Sequence, residues 1–345
     1  MTNPLAADLD HVLDHTRGRW DELRGGRLFI TGGTGFFGCW LLESFAWAND
    51  ALKLGAEAVV LTRDAAAFGR KAPHLAGRSD LRLHTGDVRD FEFPHGPFTH
   101  IIHAATEASA ALNAEAPLTM FDVIVLGTRQ TLDFARQCGT PKVLLTSSGA
   151  VYGRQPPELS HTPEEYGGAP DVLDANSAYG EGKRVAEHLA GVYHRQYGLP
   201  VKIARAFAFI GPHLPLDVHF AVGNFLRDGL RGGPVRVGGD GTPYRSYLYA
   251  ADLAVWLWTL LFRAAPMRPY NVGSGAAVSI AETARCVAAH FGVDVQIAKT
   301  PTPGRPAERY IPAVRRAREE LGLCEWVPLP EAVARTARWH QTVAA

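Results

Sequence analysis

Apolar residues along this chain come in short runs separated by amphipathic stretches, and the alternation predicts strands and helices in turn. Strand-like runs lie at "RLFIT" (27–31), "AVVLT" (58–62), "LRLHTGD" (81–87), "HIIHAA" (100–105), "KVLLTSS" (142–148) and "VKIARAF" (201–207). Between them, "LTMFDVIVLGTRQTLDFARQCG" (118–139) and "SAYGEGKRVAEHLAGVYHRQYG" (177–198) carry helical periodicity, and each ends at a glycine, as helices often do. Strands alternating with helices predict an α/β fold, a doubly wound parallel sheet covered on both faces. Ahead of the first strand, Leu5, Leu9, Val12, Leu13 and Trp20 fall roughly on one face, which predicts a helical extension over residues 1–24. Past Gly211 proline and glycine become frequent, in "GPHLPLD", "RGGPVRVGGDGTP" and "KTPTPGRPAE", and a smaller, mainly C-terminal lobe is expected there. The expected boundaries are 25–208 plus about 246–270 for the sheet domain, and about 209–245 plus 271–340 for the lobe.

Composition narrows the class. With 345 residues, 46% hydrophobic and 20% charged, the chain reads as an ordinary globular protein with room for one large domain and a smaller lobe. Its 35 basic and 35 acidic residues cancel, which argues against nucleic acid as a partner. Cys39, Cys138, Cys286 and Cys324 lie far apart with no CxxC pair, so they read as reduced thiols; no disulfide framework and no metal are expected. No apolar run reaches the length of a membrane span, and the mixed, charged N-terminus is unlike a secretory signal. A cytoplasmic location without membrane contact is the expectation.

Two patterns carry chemistry. "ITGGTGFFGCWLLESF" (30–45) follows a strand and opens a helix, with Gly32, Gly35 and Gly38 spaced GxxGxxG. Glycine permits the tight turn and a close backbone approach to a pyrophosphate. The first helical residues, Phe36 and Phe37, present free amides and the positive end of the helix dipole to it. At the end of the second strand, where an acid would hold a ribose 2′-hydroxyl, stands Thr62, followed by Arg63 and Asp64. Arg63 suits a 2′-phosphate and leans toward NADP; Asp64 leaves room for NAD. Asp87 and Val88 of "TGDVRD" are expected beside the adenine. In "SAYGEGKRVAEHL", Tyr179 and Lys183 lie on one helical face. A lysine beside a tyrosine lowers the phenol pKa toward neutrality, and such a phenolate can take a proton from an alcohol while hydride leaves the same carbon. Ser148 sits between these patterns at a strand's carboxyl end, where open α/β sheets bind ligands.

With these residues in place, the chain resembles the extended short-chain dehydrogenase/reductase family of NAD(P)-dependent nucleotide-sugar epimerases, dehydratases, decarboxylases and reductases. The resemblance runs from about Arg27 to Trp339 and rests on "TGGTGFFG", "GDVRD", "HAA" (103–105), "TSSGAVYG", "YGEGK", "GGDGTPYRSYLYAADLA" and "YNVGSGAAVSI". It implies a Rossmann sheet with a substrate-binding lobe and an NDP-sugar substrate. Ser148, Tyr179 and Lys183 match the catalytic set, with Tyr179 and Lys183 also at the nicotinamide ribose. Ala104 and Ala105 of "HAA" match cofactor contacts, and Glu107 lies where relatives touch the sugar. Arg245 matches an arginine that grips the substrate diphosphate, Arg309 lies where a second is usual, and Asn224 matches a residue near the nucleotide. Family members often dimerise through two helices per subunit, here those near 118–137 and 179–197. Met120, Val123, Leu126, Val185, Leu189 and Val192 either supply that bundle or face the sheet.

The sequence departs from the family directly after Ser148. Dehydratases of the family carry an Asp-Glu pair there, and related decarboxylases a Glu in the second place; here the places hold Gly149 and Ala150, which move no proton. Glu107 and Glu165 are the candidates for a carboxylate from elsewhere. Ala208 stands where many relatives have an Asn, and Ile124 where an Asn often precedes the "GT" of "VLGT". The expected function is an epimerase working through a 4-keto intermediate, with an NADPH-dependent ketosugar reductase as the alternative and decarboxylation or 4,6-dehydration behind both. A non-catalytic dinucleotide binder needs only the glycine turn, and the Ser148–Tyr179–Lys183 set argues against it.

Overall fold

The computed structural model describes residues 3–106, 110–218 and 220–344. Its centre is a sheet of seven parallel strands: β1 (Arg27–Thr31), β2 (Glu57–Thr62), β3 (Leu81–Thr85), β4 (His100–His103), β5 (Lys142–Ser148), β6 (Val201–Ala206) and an edge strand, Pro269–Val272. The order across the sheet is β3-β2-β1-β4-β5-β6-edge, so the winding reverses between β1 and β4. The interior strands are buried almost throughout, as strands covered on both faces must be.

The helices Pro117–Cys138 and Ala178–Tyr197 cover one face, packing Met120, Ile124, Phe134, Ala186 and Ala190 against Phe29, Ile101 and Val143. Both stop at a glycine in the left-handed region, Gly139 (φ +61°) and Gly198 (φ +69°). The bundle residues divide. Met120 faces the sheet and half-buried Leu189 packs against the same core, whereas Leu126 is 45% exposed and Val185 and Val192 are half-buried.

On the other face lie two helices, α1 of the N-terminal extension (Ala6–Thr16) aside: α2 (Phe36–Leu52) and the helix Ala250–Arg263. The latter is buried from Ala250 through Phe262. A helix apolar on every side needs cover on every side, and the N-terminal extension supplies it. The extension is not one helix: α1 ends, Gly18 turns the chain at φ +81°, and a short 3-10 turn, Trp20–Leu23, follows. That break lets Leu9, Val12 and Leu13 pack along the central helix, while Trp20 meets Trp258 with ring centroids 4.5 Å apart. Burying each of these side chains contributes about 2 kcal/mol.

Past β6 the chain adds the helices Ala221–Leu230 and Ile280–Phe291 and short strand pairs outside the main sheet. Val235–Val237 pairs with Val295–Ile297 in parallel, and Tyr244–Arg245 pairs with Val278–Ser279 in antiparallel fashion. Among the described residues, no helix is long and apolar enough to cross a membrane.

Asp252 joins three remote segments and is fully buried. One carboxylate oxygen meets His11 Nε2 at 2.9 Å, and the other accepts from the Trp326 and Val327 amides at 2.9 and 3.0 Å. Asp252→Ala strands those amides without an acceptor and is expected to lower the unfolding free energy by about 3 kcal/mol. Urea denaturation checks this; an unchanged midpoint would contradict the role given to Asp252.

Candidate active site

A cleft of about 840 Å³ opens at the carboxyl ends of the strands where the winding reverses, the place where open α/β sheets bind ligands. Its floor is the glycine turn after β1. Gly32 sits at φ +73°, and a Cβ there would fall 2.4 Å from the Ala104 carbonyl oxygen, so only glycine lets β1 and β4 close on each other. The Ala104 and Ala105 amides complete the junction by donating to the Thr31 carbonyl and hydroxyl at 3.0 and 3.1 Å. Gly35 is different. A Cβ there would touch only Gly32, at 3.4 Å, and the glycine lines the cleft. It is the N-cap of α2 and no side chain caps it, so the amides of Phe36 and Phe37 stay available to an anion. A bare, uncapped helix terminus at the bottom of a cleft fits a dinucleotide pyrophosphate. Gly38 does not line the cleft. Its Cβ would sit 2.2–2.3 Å from Gly33 and Gly32 backbone, so its absent side chain lets α2 close under the turn.

At the end of β2, Thr62 and Arg63 line the cleft. Asp64 is engaged elsewhere, as N-cap of the helix Ala65–Lys71, accepting from the Ala67 amide at 2.8 Å. Asp87 and Val88 line the same end, and Arg89 holds the Asp87 carboxyl below its ordinary pKa through bonds of 2.8 and 3.0 Å.

The proton-handling residues meet at the other end. The helix Ala178–Tyr197 places Tyr179 in its first turn and Lys183 one turn on. Lys183 is 3% exposed and donates to Thr106 Oγ1 and to the Thr146 carbonyl, both at 2.8 Å. An ammonium has a third N–H for a ligand. Burial lowers its pKa to about 7. Tyr179 departs from expectation: burial raises its pKa, and the opposing influence is the hydroxyl of Ser148, not the Lys183 charge. Ser148, nearly buried at the end of β5, accepts from the Ala150 amide at 3.1 Å.

Behind Gly149 lies the ring of Phe207, 2.6 Å from where a Cβ would be, so the first acid position of the dehydratase pattern is filled by an aromatic ring. Glu165 is exposed and ion-paired with Arg316, away from the cleft lining. Glu107 lies outside the described residues. Arg245 lines the cleft, half-buried, with one guanidinium nitrogen donating to the Tyr244 carbonyl at 2.8 Å. Asn224 and Arg309 do not line it. Asn224 accepts from Arg227 at 3.0 Å, while Phe220, Ala221 and Val222 face the cleft instead. The Arg309 guanidinium stacks 4.5 Å over the Tyr244 ring. Successive residues of an extended segment point oppositely, so the neighbour, Tyr310, turns into the cleft. Sequence motifs single out none of Tyr310, Thr106 and Phe207. Tyr310 lies one residue from Arg309, and the pleat of its segment is the signal that would have found it.

The family model described as the NAD dependent epimerase/dehydratase family matches residues 28–273. The chain belongs to the NAD-dependent epimerase/dehydratase family. UDP-glucuronic acid decarboxylase 6 of Arabidopsis thaliana is 32% identical over 305 residues, 88% of this chain and 84% of that protein. The UDP-glucose 4-epimerase of Thermus thermophilus, solved in complex with NAD, matches with a TM-score of 0.74 at 28% identity, covering 91% of this chain and 99% of that one. A dTDP-glucose 4,6-dehydratase from Streptomyces venezuelae, solved with NAD bound, matches with a TM-score of 0.77 at 26% identity, covering 92% and 97%. This family consists of NAD(P)-dependent enzymes, and the chain is one of them. Three reactions share its fold, so the reaction has to be read from the site.

Two outcomes follow from this geometry. Gly38→Ala drives a methyl into the turn beneath the family's dinucleotide site, and NAD(P) affinity is expected to fall by about tenfold or more. Calorimetric titration checks it, and unchanged affinity would contradict the packing argument. For Lys183, the folded pKa of about 7 lies below the value of 10.5 for an unperturbed lysine. Between these values the unfolded chain binds the extra proton, so the fold gains stability as pH rises through that window. The stability difference between wild type and Lys183→Met is expected to shift in favour of the wild type from about pH 7 upward; parallel pH curves would contradict the burial of the amine.

Proposed function

We propose that the protein epimerises a nucleoside-diphosphate sugar by oxidising and re-reducing one ring carbon, C4. The observation that carries this reading is the convergence of Ser148, Tyr179 and Lys183 on the glycine-turn cleft, with no proton-moving side chain at Gly149 or Ala150. A nicotinamide dinucleotide held by Gly32, Gly35, Phe36, Phe37 and Lys183 would supply the hydride acceptor and donor. Tyr179 takes the proton of the C4 hydroxyl as the carbon becomes a ketone, and returns it when the alcohol re-forms on the other face. Ser148 hydrogen-bonds the C4 oxygen in both states. Lys183, desolvated and poised near neutrality, holds the ribose hydroxyls with its remaining N–H. Arg245 is the partner for the diphosphate, as a guanidinium pairs two phosphate oxygens at once.

Arg63 in the cleft, with Asp64 engaged as a helix cap, supports NADP over NAD and keeps the NADPH-dependent ketosugar reductase as an alternative. Decarboxylation is a second reading with a specific support, the similarity to UDP-glucuronic acid decarboxylases. Oxidation at C4 of a uronate makes a β-keto acid, which loses carbon dioxide without an acid at Ala150. Assembly as a dimer through the outer faces of the helices Pro117–Cys138 and Ala178–Tyr197 rests on the exposed Leu126 and half-buried Val185 and Val192.

The test is a panel of UDP- and dTDP-sugars, uronates included, with and without added NADPH. The expected result is interconversion of C4 epimers without net use of NADPH, lost by about a thousandfold in Tyr179→Phe. Carbon dioxide released from a UDP-uronate would replace this reading with decarboxylation, and strict consumption of NADPH would replace it with reduction.

A further inference from the structure

The helix Ala178–Tyr197 meets β5 at two points, one turn apart. Lys183 donates to the Thr146 carbonyl at 2.8 Å. Glu187, four residues on and on the same helical face, accepts from the Ser147 hydroxyl at 2.5 Å. Ser147 lines the cleft and directly precedes Ser148. The Glu187 carboxylate is itself fixed. Ser147 of β5 and Arg205 of β6 stand opposite each other in the sheet, so their side chains leave it on one face, and Glu187 comes down on both. Arg205 Nε donates to Oε1 at 2.9 Å and Nη2 to Oε2 at 2.7 Å, the bidentate form of a guanidinium–carboxylate pair. Arg205 Nη1 donates to the Tyr152 hydroxyl at 2.8 Å, and that hydroxyl donates to Asn271 of the edge strand, also at 2.8 Å.

The Glu187 and Arg205 side chains are 13 and 14% exposed, so little water competes for their bonds. Neither lines the cleft, and hydride transfer uses neither directly. Their place in the fold gives them another task. The Ser148 hydroxyl comes from a strand and the Tyr179 phenol from a helix, and a proton passes between oxygens only over hydrogen-bond distance. One contact, at Lys183, would leave the helix free to pivot on β5; a second contact one turn on removes that freedom. We infer that Glu187 is a positioning residue: clamped by Arg205, it holds the Ser147 end of β5 against the helix and so sets the separation of Ser148 from the Tyr179–Lys183 pair. A misplacement of about 1 Å at such a site costs up to about a hundredfold in rate. This inference rests on the hydride-transfer reading above, though not on whether the oxidised sugar is then epimerised or decarboxylated.

Two changes cut the contact from opposite sides. Ser147→Ala removes the hydroxyl and leaves the Glu187–Arg205 pair intact. Glu187→Leu/Arg205→Met exchanges the whole pair for apolar side chains of similar volume, which leaves no buried charge unpaired. With an NDP-sugar that the wild type oxidises, each is expected to lower kcat about tenfold while KM and NAD(P) affinity stay within about twofold. The triple variant is expected to be no slower than the slower of the two, within about twofold, because both changes break one contact. Circular dichroism melts show whether each variant is folded at the assay temperature. A lowered melting temperature with kcat unchanged would mean that the pair only braces the fold, and would overturn the inference. Losses confined to KM, or multiplicative losses in the triple variant, would overturn it as well, and all of these leave the hydride-transfer reading in place. Failure of the wild type to oxidise any NDP-sugar would overturn both.

Discussion

The site is organised around a buried amine. Lys183 reaches from the helix Ala178–Tyr197 through the protein interior to Thr106, just past β4, and to the carbonyl of Thr146 within β5. An ammonium removed from water must be met by polar atoms, and those it finds lie in the segment after β4 and in the neighbouring strand β5, beside the point where the sheet reverses. The helix is thereby held in register with the strand ends, and Tyr179, one turn earlier, lines the cleft together with Ser148. The glycine turn is closed onto the same junction from the other side, through Gly32 against Ala104. Disturbing the amine therefore loosens the proton-handling end and, through the loop after β4, the dinucleotide end as well.

The chemistry at this junction is set as much by missing groups as by those present. Of the described residues that line the cleft, Asp87 at the dinucleotide end is the one carboxylate, and the Phe207 ring takes the volume that a side chain at Gly149 would need. Removing water from a sugar needs a positioned base and a positioned acid beyond the alcohol's own proton carrier. A hydride exchange at one carbon needs only the carrier, which is why the neutral wall favours epimerisation or reduction over dehydration. Arg245 and Tyr310 come from neighbouring extended segments that share backbone hydrogen bonds, and both line the cleft.

The strands and the two long helices were legible because their period and their terminal glycines are local properties. The glycine turn and the Tyr179–Lys183 spacing were legible for the same reason. Three features were not. The break at Gly18 is decided by a distant partner, since Trp20 must turn to meet Trp258. The raised Tyr179 pKa follows from burial, which the spacing of a pair does not reveal. Tyr310 and Arg309 are adjacent, and which one enters the cleft depends on the pleat of a segment whose pairing with Tyr244 appears only in three dimensions. Gly38 fits the glycine pattern but serves the packing of α2 rather than the cleft surface.

The central claim is that hydride leaves and returns at one sugar carbon within a closed site, with Tyr179 carrying only the proton. Incubation with an NDP-sugar deuterated at C4, followed by mass spectrometry and NMR of the product and of the dinucleotide, tests it most directly. The account predicts that the deuterium is retained at C4 of the product and is found on the nicotinamide when the reaction is quenched before completion. Deuterium washed into solvent from C4 would contradict it.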